Sequence, residues 1–75
     1  MHYILSTKSF GDRQCVRGNT DFTCDISDAW IQKSLDEALR IRLHVLAMMD
    51  AIEPLKHLDI EIHEFVNGDL GKRLV

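Results

Sequence analysis

A chain of 75 residues is one domain, because two hydrophobic cores would not fit in it. Its composition, 45 % hydrophobic and 28 % charged, is that of a folding globular protein and excludes a disordered one. The formal net charge of -3, with Lys and Arg scattered from Lys8 to Arg73, argues against direct nucleic-acid binding, which wants a clustered positive field.

No run of about 18 apolar residues is present to span a membrane, and Met1-His2-Tyr3 lacks the basic-then-apolar layout of a signal peptide. The expected address is therefore the cytoplasm. A core this small buries only about 60 % of the surface of the unfolded chain, so a partner that extends it would stabilise the fold.

Residues 2–7 read as a strand rich in β-formers, apolar on both faces and so central. Ser9-Phe10-Gly11-Asp12 carries turn chemistry, and residues 13–17 resume an extended pattern. Gly18-Asn19 predicts a hairpin turn, since both residues tolerate positive φ. In the return strand, Phe22, Cys24 and Ile26 share an inward face while Asp21, Thr23 and Asp25 share a wet one. Cys15 and Cys24 would then face each other across the hairpin; without a secretory signal, two reduced thiols are expected in preference to a disulfide.

Ser27-Asp28 caps a short first turn containing Ala29, Trp30 and Ile31. The main helix follows over residues 34–52, opened by Ser34-Leu35-Asp36-Glu37 in the spacing of a capping box. Pro54 ends it near Glu53. Residues 59–66 alternate as a last strand, Asn67-Gly68-Asp69 turns the chain, and residues 70–75 form a short extra strand or a frayed tail. The predicted fold is α+β, a small antiparallel sheet with one amphipathic helix on one face, in the order β-β-β-α-β.

At about 100° per residue, Leu35, Ala38, Leu39, Val45, Leu46, Met49 and Ile52 form one apolar sector of the helix. Ile41 and Met48 widen it on one side and Leu43 on the other, to an arc of roughly 220°, more than one small sheet covers. Either the tail, Trp30 and the connector wrap the flanks, or the surplus is a surface for a partner or a second copy, to which methionine adapts readily. Arg42 interrupts the centre of the sector. Snorkelling along its aliphatic stem is the favoured account, in which case Arg42→Met leaves the fold intact or firmer; the others are a carboxylate partner or an interface.

Chemistry is sparse. Asp59, Glu61 and His63 lie on alternate residues of the last strand, a pattern that suits zinc or manganese but is unspecific, and a wet polar stripe is the favoured reading. His44 belongs to the polar face of the helix with Glu37 and Arg40, and His57 to the connector; both are expected in solvent. A cysteine nucleophile would want a histidine, and only His2 offers itself through strand pairing. The glycines fit no phosphate cradle, and Cys-x-x-Cys and His-Glu-x-x-His are absent. No metal, cofactor or catalytic residue is assigned.

The stretch Ser34-Leu35-Asp36-Glu37-Ala38-Leu39 after several strands is loosely similar to the strand-then-helix passage of HicB-type antitoxins, over about a quarter of the chain; the Pro-containing loop of that family is missing. In size and charge the chain also resembles small inhibitors encoded by phages and mobile elements.

The first expectation is a protein-interaction module that occludes or bridges a larger protein partner. Its acidic face would be Asp21, Asp25, Asp59, Glu61 and Glu64, with Asp36 and Asp69 as further acids, and its apolar flank Ile41, Leu43 and Met48 with Arg42. The second is a homodimeric, antitoxin-like regulator that self-associates through that flank and touches nucleic acid with Arg13 and Arg17. A small metal-dependent enzyme comes last.

Overall fold

The computed structural model describes residues 1–18, 21–56 and 58–75, with the side chains of Ser9, Phe10 and Pro54 left aside. Asn19 and Thr20, on which the predicted hairpin bend falls, and His57 of the connector lie outside the described residues. The architecture is α+β: a six-stranded antiparallel sheet with one helix packed against it. In chain order come β1 (His2–Phe10), β2 (Asp12–Val16), β3 (Phe22–Thr23), a 3-10 turn (Ile26–Asp28) and β4 (Ile31–Gln32). After them follow α1 (Leu35–Asp50), a second 3-10 turn (Glu53–Leu55), β5 (Glu61–Val66) and β6 (Asp69–Arg73). No helix of the described residues is long and apolar enough to cross a membrane.

Strand β1 organises the sheet, whose order is β3-β2-β1-β5-β6. One edge of β1 pairs with β5, Leu5 opposite Ile62 and Ser6 opposite Glu61. The other edge is shared: Ser6, Thr7 and Phe10 meet β2, while Tyr3 and Ile4 meet β4. Residues 4–7 are at most 1 % exposed, as suits a strand covered on both faces. It is longer than the predicted 2–7; the expected turn shrinks to Gly11, whose N–H reaches the Lys8 carbonyl at 3.2 Å.

Two expectations are corrected between β2 and the helix. The return strand does not run to Ile26, because Thr23 Oγ1 accepts the Asp25 N–H at 3.0 Å and the Asp25 carboxylate accepts the N–H and hydroxyl of Ser27 at 3.0 and 2.7 Å. These local bonds turn the backbone out of the sheet. Thr23 is consequently buried and Cys24 exposed, the reverse of the alternation expected. Second, Trp30 and Ile31 are not helical. The Trp30 N–H bonds to the Val16 carbonyl at 3.0 Å, and Ile31–Gln32 occupies the edge of β1 that β2 leaves open, so an unpaired stretch of backbone finds partners.

The helix matches its prediction closely. Ser34 caps it by accepting the Glu37 N–H at 3.1 Å, with Asp36 and Glu37 at the positive end of the dipole. Ala38, Val45 and Met49 are fully buried against Leu5, Val16, Ile60 and Ile62, and the small Ala38 lets the helix approach the sheet closely. The last hairpin is also as expected and longer: Val66 pairs with Asp69, leaving a two-residue loop in which Asn67 and Gly68 have φ of 52° and 78°. This is the twist that a tight hairpin demands. The residues after it form β6, so the extra strand is present.

Arg42 neither floats in the core nor simply snorkels. Its Nε donates to the Ile60 carbonyl at 2.6 Å and its Nη2 to Asp59 Oδ1 at 3.2 Å, while Asp59 also accepts the Ile60 N–H at 2.9 Å. The side chain thus fastens the helix to the start of β5. Arg42→Met should therefore cost stability, by about 1–3 kcal/mol in urea denaturation, contrary to the neutral outcome that the periodicity alone suggests. Gln32, 2 % exposed on β4, has a side-chain Oε1 without a donor among the described residues. Gln32→Met is expected to stabilise the protein by about 1 kcal/mol in the same assay; a comparable loss would mean that the amide is held by bonds the carbonyl does not show.

Candidate functional site

Directly paired residues in a sheet point to the same face. Ser6 pairs with both Cys15 and Glu61, Cys15 pairs with Thr23, and Ile4 pairs with His63. All therefore lie on the face away from the helix, with Arg13 two residues from Cys15. On that face Arg13 Nη1 donates to Ser6 Oγ at 2.6 Å and Glu61 Oε1 at 3.1 Å, and His63 Nε2 lies 3.1 Å from both Glu61 Oε1 and Arg13 Nη1. Since the two hydrogens of Nη1 go to Ser6 and Glu61, His63 Nε2 is left to donate to Glu61. Its Nδ1 lies 3.4 Å from the Gly71 carbonyl. Gly71 lets β6 lie close against β5: a Cβ there would stand 3.1 Å from the Glu64 carbonyl oxygen and from Val66 Cγ2.

Glu61 and His63 do share a face, as their spacing suggests, but the face is not wet: they are 8 % and 6 % exposed. Burial alone would raise the Glu61 carboxyl; the hydrogen bond and charge of Arg13, the charge of Arg73 and the hydrogen bond of His63 outweigh it and bring the group below its ordinary value. Burial pushes the neighbouring Cys15 thiol up, against the pull of Arg13, which is the opposite of what activates a nucleophile. His2 pairs with Phe65, four residues along β1 from the partner of Cys15, or about 13 Å. Asp59 is turned away to Arg42, and among the described residues no three His, Cys, Asp or Glu side chains converge as a metal set.

The predicted acidic face is not one surface. Asp21 is held by Arg17 at 2.8 and 3.2 Å, and the hydrogen bonds and charge of that partner keep its carboxyl low. Asp25 caps the 3-10 turn, Asp59 holds Arg42 and Glu61 lies in the buried cluster. Glu64 is paired with Tyr3 on the helix side of the sheet and is half-buried. Arg13 and Arg17, the two cations assigned to nucleic acid, are likewise each engaged with a carboxylate.

The apolar flank divides too. Leu43 is 65 % exposed and Met48 42 %, but at about 100° per residue they sit roughly 140° apart on the helix. Ile41 and Leu43 are separated by a similar angle. Leu35 and Leu39, expected in the core, are each 37 % exposed, so Leu35, Leu39, Leu43, Ala47 and Ala51 form one uncharged ridge at four-residue spacing along the outer helix. On the opposite shoulder Ile41 lines an open groove of about 490 Å³ with Trp30, Glu37, Arg40 and His44. His44 thus keeps the company predicted for it. The role of Trp30 was not legible, because its position depends on β4 pairing with β1.

The lowered carboxyl of Glu61 implies a sign for acid stability. A carboxyl lower in the folded than in the unfolded state contributes stability above the ordinary value of about 4.3 and loses it as pH falls through the folded value. Glu61→Gln should therefore be less stable than the parent above about pH 5, and the difference should close below about pH 4; urea titrations across that window measure it.

No family model, curated protein or solved structure matches this chain, so its site is read from its own geometry.

Proposed function

We propose that the chain is a protein-interaction module of the inhibitor or accessory type, which occludes or bridges a larger protein by docking the outer ridge of its helix. The observation that carries this reading is the ridge of Leu35, Leu39, Leu43, Ala47 and Ala51, which has no charged member and lies exposed. Four-residue ridges are what helices interdigitate, and an exposed uncharged stripe costs solubility unless something covers it.

The edges of the sheet support the helix as the docking element. At one edge β3 has two residues, and at the other β6 is irregular between the pairs His63–Arg73 and Phe65–Leu70 and carries the exposed Lys72. Short, bulged and lysine-bearing edges discourage strand addition. The internally bonded Arg13–Glu61–His63 cluster fits a structural role better than a catalytic one. Cys15 and Cys24 are free thiols, which suits action in the cytoplasm.

A photo-crosslinking residue at position 43 is expected to form an adduct with one host protein, and Leu39→Glu to remove it while changing stability by no more than about 0.5 kcal/mol. The docking assignment fails if position 43 gives no adduct while a probe at position 8, on the sheet, does. A 43-to-43 adduct, with a dimer in light scattering, would assign the ridge to a second copy instead.

A further inference from the structure

The charge of the chain is unevenly placed. Residues 21–37 hold five acids, Asp21, Asp25, Asp28, Asp36 and Glu37, against one base, Lys33, a net of -4 where the whole chain has -3. This segment includes the 3-10 turn, β4 and the first turn of α1, and Trp30 lies within it. Asp21 is matched by Arg17; Asp28, Asp36 and Glu37 form no ion pair among the described residues. Fields of such charges extend over about 10 Å at ordinary salt, and Asp28 and Asp36 stand two residues and one residue along the chain from Trp30 and Glu37, which line the groove.

The groove itself combines an aromatic face, an unpaired carboxylate and an aliphatic floor. Trp30 is 41 % exposed although its backbone is held to Val16 and its neighbours to β1, so the indole is presented on a fixed support. Ile41 is half-buried beneath it, and Glu37 has no ion-pair partner in the described structure. A guanidinium is a flat cation that stacks on an indole and bonds a carboxylate with paired N–H groups. Arg40 and His44 complete the lining, and the segment that supplies Trp30 and Glu37 carries the net of -4.

We propose that the Trp30 groove is a second contact site for the partner protein, one that receives an arginine of a basic segment of that partner: its guanidinium stacks on Trp30 and pairs with Glu37, and an adjacent apolar residue meets Ile41. This rests on the interaction-module reading and names the chemistry of the partner. The acidic segment 21–37 accelerates capture and makes it salt-sensitive, and Glu37 with Trp30 selects the guanidinium.

Trp30 is the only tryptophan, so its emission reports on the groove directly. The probes are a peptide of three Arg-Ala-Leu repeats and its Glu-Ala-Leu counterpart, titrated into the intact protein. The arginine peptide is expected to shift Trp30 emission saturably, to bind at least about tenfold more tightly than the glutamate peptide, and to weaken about tenfold between about 50 and 500 mM salt. Glu37→Gln should weaken it at least about threefold with an unchanged circular dichroism spectrum, whereas Asp50→Asn, at an exposed acid outside the groove, should not. Equal binding of both peptides, preference for the glutamate peptide, or equal losses in Glu37→Gln and Asp50→Asn overturns the proposal. If the arginine peptide fails while position 43 still cross-links to a partner, only the groove assignment falls; if both fail, the interaction-module reading falls with it.

Discussion

The molecule depends on β1 being paired along both edges and covered on both faces. Nine residues of strand supply Leu5 to the helix-facing core and Ser6 to the polar cluster behind it, and the same backbone holds β2 and β4 on one side and β5 on the other. Pleating makes the division: successive side chains leave on opposite faces, so one strand serves two environments without compromise. The helix, the groove and the buried ion pairs are each placed relative to this strand. Trp30, for example, is where it is because the first half of β1 has an edge that β2 does not reach.

The two faces solve the problem of a small core differently. On the helix side, Leu5, Val16, Ile60 and Ile62 are sealed by Ala38, Val45 and Met49, an ordinary apolar layer. On the other side no second helix is present among the described residues, and the cover is made by long side chains lying over short ones, Arg13 over Ser6 and the Glu61–His63 pair. Such a cluster tolerates burial because Glu61 Oε1 is met by both Arg13 and His63, and it specifies register because a shift by one residue would send Glu61 into the core.

The helix carries the opposite imbalance, more apolar surface than its sheet covers. One sheet contacts a helix over a sector of about 100°, and the sector used here is centred on Ala38, Val45 and Met49. What remains divides into two shoulders of different character, an uncharged ridge through Leu43 and a groove between Trp30 and Ile41 edged by charge. Under the proposed docking, the ridge would offer contact area and the groove selectivity.

By itself the sequence determined the local features: the α+β class, the helix with its Ser34 cap, the Asn67-Gly68 turn, the pairing of Glu61 and His63 on one face, and the excess of apolar helix surface. These follow from periodicity, capping and positive-φ chemistry, which act over a few residues. Tertiary structure decided what depends on distant partners. Ile31–Gln32 became a strand because β1 had a vacant edge, although the preceding residues read as helical. Thr23 exchanged burial with Cys24 because a side-chain bond to Asp25 ended the strand early. Arg42 found Ile60 and Asp59 eighteen and seventeen residues on, and Glu61 left the acidic surface for Arg13, forty-eight residues back. No local pattern records such separations, since a charged side chain has the same alternation whether water or a distant guanidinium meets it.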